Sequence, residues 1–370
     1  MIKKIALITY GYPCSVTPTS CTFVKELVDI WRQNNIKVQV INPIDQSALK
    51  GKQAIGDRDE YFPQFNAYSW MRYLPFLKRI QIKLAERSFC DAVDSIIDHD
   101  IDVIYSHFLN AGIVAAILGE KYHKRAFCAF GESTLWSLKH RDRKKTIEIL
   151  NKITGFISVS TENTEQLLQA GIGDNHNIYT LPNGINTKQF CVNDKIQSRK
   201  ELNLPENDII GIFVGHFNER KGVLRVEAAA KQNSSLKMIY IGSGSQVPTE
   251  GNIIFKGKVD HNELHKYLNA ADFFVLPTLA EGCCNAIIEA LACGLPVISS
   301  NGRFNDDILN NEVSIRVDPN SIDEIYNAMN KLAYDSKLRQ ALSMNAAKHG
   351  EKFDIQKRAA RILEIMDNDD

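Results

Sequence analysis

The chain has 370 residues, 44% of them apolar and 24% charged. That is roughly two to three times the commonest domain size, so two domains are expected, and the composition excludes collagen-like, low-complexity and wholly disordered chains. Forty-four Lys and Arg residues balance 44 Asp and Glu, which leaves no global basic field to hold nucleic acid.

Taken in chain order, short apolar runs alternate with amphipathic stretches. The first half reads IALITY (5–10), FVKELVDIWRQNN (23–35), VQVIN (38–42), DVIYSH (102–107), AFCAF (126–130), GFISVS (155–160), ENTEQLLQAG (162–171) and IYTLPN (178–183). The second half reads IIGIFVG (209–215), LKMIYIG (236–242), NIIFKG (252–257), DFFVLP (272–277), AIIEALACG (286–294), PVISS (296–300) and IDEIYNAMNKLA (322–333). Strands apolar on both faces belong to parallel sheets covered by helices. Strand–helix alternation is the pattern of doubly wound α/β folds. About eleven strands exceed one compact sheet, so two Rossmann-like domains are expected, divided within the polar stretch 186–207. Ligands of such sheets bind beyond the carboxyl ends of the strands.

The eight cysteines include no C-x-x-C pair, so neither a zinc knuckle nor a thioredoxin-like site is written here. A reducing compartment is expected. The opening MIKKIALITYGYP has an apolar run too short for a signal peptide and reads as a buried first strand. No segment approaches the ~20 apolar residues that span a bilayer.

Two stretches carry chemistry. VGHFNERKGV (214–223) follows a strand and opens a helix. Gly215 suits a sharp turn, and His216, Arg220 and Lys221 place donors and cations where helix amides already favour an anion. The alternative is a basic surface turn. The second stretch is PTLAEGCCNAIIEALACGLPVISS (277–300). Glu281 falls in a loop after a strand, and Glu289 falls inside an apolar helix, where a carboxylate must find a partner. A ribose diol would serve. Amides from Gly282 through Cys283 and Cys284 to Asn285 would face the same ligand. DDIL (306–309) reads as a helix start, and GSGSQ (242–246) as a fragment of a dinucleotide motif.

GHFNERKGV followed by the Glu-x7-Glu of Glu281 and Glu289 resembles the family 4 glycosyltransferases. VSTENTEQLLQAG…IYTLPNGINTKQF (159–190), YIGSGSQ (240–246), FKGKVDHNELHKYLNAADFFVLPT (255–278) and CTFVKELVDIWRQNNIKVQVINP (21–43) extend the resemblance along most of the chain. It implies a GT-B enzyme of two Rossmann-like doubly wound domains facing a cleft: an acceptor-binding domain (1–187), a nucleotide-sugar-binding domain (188–350) and a last helix (351–370) crossing back to the first. It implies a retaining hexosyltransferase in surface polysaccharide synthesis, using a UDP-, GDP- or ADP-linked sugar, a glycan or lipid-linked acceptor, and neither cofactor nor metal.

Residue by residue, it implies that Lys221 neutralises the diphosphate, aided by Arg220. His216 stands where the family usually has a second phosphate-binding Arg. Glu281 would contact the transferred sugar and Glu289 the ribose. Gly215, Thr278 and the amides from Gly282 to Asn285 would line the pocket, and backbone around Lys258 and Val259 would bracket the base. Phe130 stands where many members have His, which turns attention to Gly131, Glu132, Ser133 and His107 on the acceptor side; for His107 a core position is the alternative. Cys21 stands where relatives use Gly before the T-F pair.

Other classes remain in view: a nucleotide-sugar epimerase or phosphorylase of the same fold, an NAD-linked oxidoreductase (which lacks its G-x-G-x-x-G here), and a non-catalytic nucleotide-sugar-binding protein. Residues 68–89 mix Trp70, Tyr73, Phe76 and Leu77 with Arg72, Lys78, Arg79, Lys83 and Arg87, and HRDRKK (140–145) adds a second basic cluster. That mixture reads as an element by which a cytoplasmic protein lies on the anionic inner face of the membrane. A charged face on a helix that packs against its own sheet is the alternative.

Overall fold

The computed structural model describes residues 1–368, with the side chains of Arg72, Tyr73 and Pro75 outside the described residues. The chain divides into two units, Met1–Leu181 with Arg358–Asp370, and Pro182–Lys357. Each is built on a parallel sheet covered by helices, the α/β architecture expected.

Unit 1 contains β1 (Lys4–Thr9), β2 (Lys37–Ile41), β3 (Ile44–Asp45), β4 (Glu60–Tyr61), β5 (Gln64–Phe65), β6 (Val103–His107), β7 (Arg125–Phe130), β8 (Gly155–Ser158) and β9 (Ile178–Thr180). The main sheet runs β4-β2-β1-β6-β7-β8-β9, and β3 pairs with β5 apart from it. The buried pattern of β1 and β6 is the doubly covered strand expected of apolar runs. The strand order reverses between β1 and β6, whose ends meet at Thr9 and His107. The helices are α1 (Thr22–Gln33), the short α2 (Gln46–Leu49), α3 (Lys78–Asp94), α4 (Leu109–Tyr122), α5 (Arg143–Leu150) and α6 (Thr161–Ala170).

Unit 2 contains β10 (Ile210–Val214), β11 (Lys237–Ile241), β12 (Ile253–Gly257), β13 (Phe273–Leu276), β14 (Val297–Ser300) and β15 (Ser314–Val317), in the order β12-β11-β10-β13-β14-β15. Here the reversal lies between β10 and β13, paired through Gly211↔Phe273 and Ile212↔Phe274. Its helices are α7 (Lys195–Glu201), α8 (Val223–Ala230), α9 (His261–Ala270), α10 (Asn285–Ala292), α11 (Ile322–Tyr334) and α12 (Ser336–Gly350). The expected helix start at 306–309 is absent. Arg303–Asn305 form a 3-10 turn instead, and Asp306 pairs with Arg316 at 3.0 Å.

The last helix, α13 (Ile355–Asp367), begins in unit 2 and ends in unit 1. Ile185 brackets its start, donating to Phe353 and accepting from Ile355. Beyond Arg358 it buries Ala359, Ile362, Ile365 and Met366. The buried Trp31 Nε1 donates to the Ala359 carbonyl at 3.1 Å, and the Ile2 amide donates to Asp367 at 2.9 Å. Deleting residues 358–370 is therefore expected to destabilise unit 1 by several kcal/mol, since each buried Ile or Met lost is worth about 2–5 kcal/mol. Thermal melts should show an early transition and exposed apolar surface by dye binding. A truncated protein with the full-length melting profile would refute the packing role.

Candidate functional site

In unit 2 both chemistry-bearing stretches sit at the carboxyl ends of β10 and β13, flanking the point where strand order reverses. Backbone pairing there joins the two following loops, with Leu279 N donating to Arg220 O at 2.8 Å. Gly222, at φ +76°, precedes α8. A Cβ there would lie 2.8 Å from the Pro277 carbonyl, so only glycine fits. Gly215 behaves differently. Its φ is not positive, and a Cβ would make only ordinary contacts at 3.6 Å. The sharp turn expected there is not required.

The GSGSQ stretch serves packing and makes no dinucleotide turn. Phe217 N donates to Ser243 O at 2.9 Å, and Gln246 N donates to Phe217 O at 2.9 Å. A Cβ on Gly242 would lie 1.9 Å from the Gly215 carbonyl. The loops after β10 and β11 are thereby held backbone to backbone.

Three of the predicted residues converge on one oxygen of a fourth. Glu281 Oε1 lies 2.6 Å from Lys221 Nζ and 2.9 Å from an Arg220 NH1, and it accepts from Thr278 Oγ1 at 2.7 Å. Arg220 also donates to the Ala280 carbonyl at 2.5 Å. Lys221 is 12% exposed and Glu281 11%, whereas Arg220 is 44% exposed. Burial works against the lysine charge, the Glu281 carboxylate supports it by charge and hydrogen bond, and the ammonium pKa is raised. Burial pushes the Cys284 thiol up, so it stays a neutral thiol 3.9 Å from Lys221 Nζ.

Cys284 caps α10 with no side-chain hydrogen bond, and Asn285 is its first residue. Gly282 is buried and Cys283 half-buried. Five residues into the helix numbering, Glu289 is only 6% exposed, and its Oε1 bonds His261 Nε2 at 2.9 Å. His216 is exposed and apart from this cluster, its Nδ1 3.2 Å from the Ser243 carbonyl. Lys258 is exposed, and Val259 packs on the core just before α9.

Two site residues were not singled out in the sequence. Asn183 donates through Nδ2 to Cys283 O at 3.2 Å and Asn285 Oδ1 at 2.8 Å, fixing the front of α10. PNGI was the signal for it. His261 had no signal, because its partner lies 28 residues away.

In unit 1, His107 ends β6 and is buried among Phe23, Tyr105 and Phe108, with ring centroids 4.9–6.2 Å away. Its Nδ1 has no hydrogen-bond partner. Phe108, the residue before α4, adopts φ +73°, ψ +149°, a conformation few side chains tolerate. Glu132 turns back on the backbone: Oε1 accepts from Leu109 N at 2.9 Å and Oε2 from Gly131 N at 3.2 Å. Burial raises its pKa against the pull of those amides. Asn163 Nδ2 donates to the Glu132 carbonyl at 2.7 Å. Ser133 is half-buried beside it. Cys21 adopts φ +47° before α1, the left-handed region that glycine enters freely.

The basic and aromatic clusters of unit 1 are joined. Arg141 Nε donates to Glu86 of α3 at 2.9 Å. Trp70 (63% exposed), Phe76 (77%), Ile80 and Leu84 are exposed, as are Arg79, Lys83 and Arg87. Trp136 and the run Arg143, Lys144, Lys145 are exposed beyond Arg141. Only Gln81, Phe89 and Val93 of α3 are buried, so the apolar residues at its start do not pack on the sheet. Arg72 and Tyr73 of this expectation lie outside the residues whose side chains are described. No described helix is long and apolar enough to cross a membrane.

Comparison with known proteins places the chain in a family. Residues 22–189 match the model for Glycosyltransferase Family 4, and residues 194–349 match that for Glycosyl transferases group 1. The chain is 26% identical to a putative teichuronic acid biosynthesis glycosyltransferase of Bacillus subtilis, over 90% of each chain. It is also 26% identical to an Escherichia coli UDP-Gal:alpha-D-GlcNAc-diphosphoundecaprenol alpha-1,3-galactosyltransferase, over 71% of this chain and 74% of that one. Among solved structures, Thermosynechococcus elongatus sucrose-phosphate synthase superposes with TM-score 0.76 at 18% identity, covering 98% of each chain. Anabaena HepE in complex with UDP and glucose superposes with TM-score 0.71 at 17% identity, covering 98% of this chain and 99% of that one. The chain belongs to the family 4, group 1 glycosyltransferases of GT-B fold.

Burial and the nearby Arg358 hold the His107 imidazole down to about 3. Its folded pKa lies below its unfolded value near 6.5, so the unfolded chain gains a proton that the fold refuses, and stability falls as pH drops from about 6.5 towards 3. At pH 5 this amounts to about 2 kcal/mol. Denaturant melts of wild type and His107→Phe between pH 7 and 5 should show the variant losing less stability on acidification; equal slopes would contradict a buried neutral histidine.

Proposed function

We propose that this glycosyltransferase moves a sugar, with retention of anomeric configuration, from a nucleotide-sugar donor to a lipid-linked glycan acceptor in surface polysaccharide synthesis. The observation that carries the reading is the convergence of Lys221, Arg220 and Thr278 on Glu281 at the strand-order reversal of unit 2, in front of uncapped α10. The named relatives support the substrate classes: one carries a UDP-sugar and an undecaprenyl diphosphate-linked acceptor in its name, and HepE binds UDP.

Breaking the anomeric C–O bond develops negative charge on the leaving β-phosphate oxygen. Lys221, Arg220 and the first amides of α10 would stabilise it, a preorganised arrangement that does not reorganise during reaction. The diphosphate would take over Lys221 from Glu281, leaving that carboxylate to accept hydroxyls of the transferred sugar. Glu289 would accept from the ribose diol. Backbone at Lys258 and Val259 would flank the base. For retention, the acceptor hydroxyl attacks the face the phosphate leaves. One C–O bond breaks, a glycosidic C–O bond forms, and the departing phosphate takes the hydroxyl proton. The clamp carries the charge with side chains and amides, so turnover is expected to persist in a chelator.

The proposal extends to where the acceptor is met. The exposed Trp70, Phe76, Ile80 and Leu84, with Arg79, Lys83, Arg87 and the 143–145 run, suit an anionic membrane face, where each basic residue is worth ~1 kcal/mol and exposed aromatic and aliphatic rings enter the headgroup layer. Vesicle sedimentation should rise with anionic lipid, fall in ~0.5 M salt, and weaken in Arg79→Glu/Lys83→Glu. Sedimentation unaffected by lipid charge would sink the membrane element.

For the site itself, one of UDP, GDP and ADP should raise thermal stability, by about 2.7 kcal/mol at 100 times its dissociation constant. Lys221→Ala should lower turnover by about 10²–10³, while Glu289→Ala should mainly weaken nucleotide binding. Wild-type kinetics in both variants would refute the site.

A further inference from the structure

Glu289 lies in an apolar helix turn, with Ile287, Ile288, Ala290 and Leu291 all buried around it. A carboxylate so placed needs a hydrogen-bond partner. The structure supplies one from another element. His261, the first residue of α9, is itself 41% exposed, yet its Nε2 points inward to Glu289 Oε1 at 2.9 Å. Its ring rests against the buried Phe190 at 5.2 Å, and its backbone carbonyl accepts from Gln189 Nε2 at 3.2 Å. Phe190 thus supports the ring and Gln189 the backbone of the residue, and the imidazole's hydrogen bond engages one of the two carboxylate oxygens.

We propose that His261 is a positioning residue for nucleoside recognition, fixing the Glu289 carboxylate so that its remaining acceptor capacity meets the ribose diol, and tying it to the loop before α9. This rests on the reading of Glu289 as the ribose carboxylate. His261 follows Lys258 by three residues and Val259 by two, so the bond ties the loop expected to flank the base to the side chain expected to hold the ribose. Base and sugar recognition then share one rigid link between α9 and α10. Donation from Nε2 requires the tautomer with its proton there, and that assignment comes from the partner atom.

The test uses the full-length protein and whichever of UDP, GDP or ADP gives the largest thermal shift, together with its 2′-deoxy analogue. Dissociation constants are measured by calorimetry for wild type, His261→Ala, His261→Gln, Glu289→Ala and the double variant. Wild type should prefer the ribonucleotide. His261→Ala should weaken its binding about tenfold, the loss of one hydrogen bond to a charged group. Binding of the deoxy analogue should change less, so the preference shrinks. His261→Gln, which returns an amide donor, should recover part of it. In the double variant the two effects should not add.

The outcomes separate the two claims. If Glu289→Ala leaves the 2′-hydroxyl preference intact, the ribose reading fails. If Glu289→Ala abolishes it but His261→Ala weakens both nucleotides equally or neither, the positioning role is overturned and the ribose reading stands.

Discussion

A single carboxylate oxygen organises the loops at the carboxyl ends of β10 and β13. Glu281 Oε1 receives an ammonium, a guanidinium and a hydroxyl from residues on two loops. Neither Lys221 nor Glu281 is exposed enough to be solvated alone, and removing one member of such a pair leaves a charge that costs about 3–5 kcal/mol. The pair therefore locks the loop after β10 to the loop after β13. The parallel pairing of those strands, the Leu279–Arg220 backbone bond and the glycine at 222 set how closely the loops approach. The sheet supplies the platform, and the ion pair selects one arrangement of the loops upon it.

The helix that follows converts this arrangement into a ruler. Cys284 caps α10 beside Lys221, and Glu289 stands four residues beyond Asn285. At 1.5 Å per residue the two ends of the site are separated by about 6 Å along the axis. Asn183 fixes one end by holding Cys283 and Asn285, and His261 fixes the other. Both supports come from outside the two motifs. A preorganised site needs such second contacts because side chains on a helix surface otherwise sample several rotamers.

Much of this was legible in the sequence, for identifiable reasons. Continuous apolar runs revealed the central strands, since a strand covered on both faces has no polar side. Strand β15 was not visible, because SIRV is short and Arg316 sits in its middle; its guanidinium leaves the sheet for Asp306 and nearby carbonyls. Lys221 and Glu281 stood out by spacing, and Glu289 as a charge within an apolar helix. His261 was illegible because a long-range hydrogen bond leaves no periodicity. Glycine was read at the wrong place: Gly222 and Gly242 are the positions that neighbouring carbonyls reserve, while Gly215 has room for a side chain. Likewise DDIL has helix-start composition, but the pairing of Asp306 with Arg316 outweighs it.

The two units use the same helix-and-strand grammar with opposite results at their helix N-termini. In unit 1 the strain at Phe108 costs of order 1–3 kcal/mol. It is sustained by the Phe108–Ala129 backbone bond and by the aromatic contacts with Phe23 and His107. The same junction puts the first amide of α4 against Glu132. That carboxylate does for α4 what an incoming anion would do, and its negative charge would repel a phosphate brought there. In unit 2 the side chain of the residue capping α10 makes no capping hydrogen bond to the helix, and a buried ammonium stands beside it. The anion-attracting end of a helix is thus filled from within in one unit and flanked by cation in the other. The asymmetry makes the front of α10, and not that of α4, the more favourable of the two for an incoming anion.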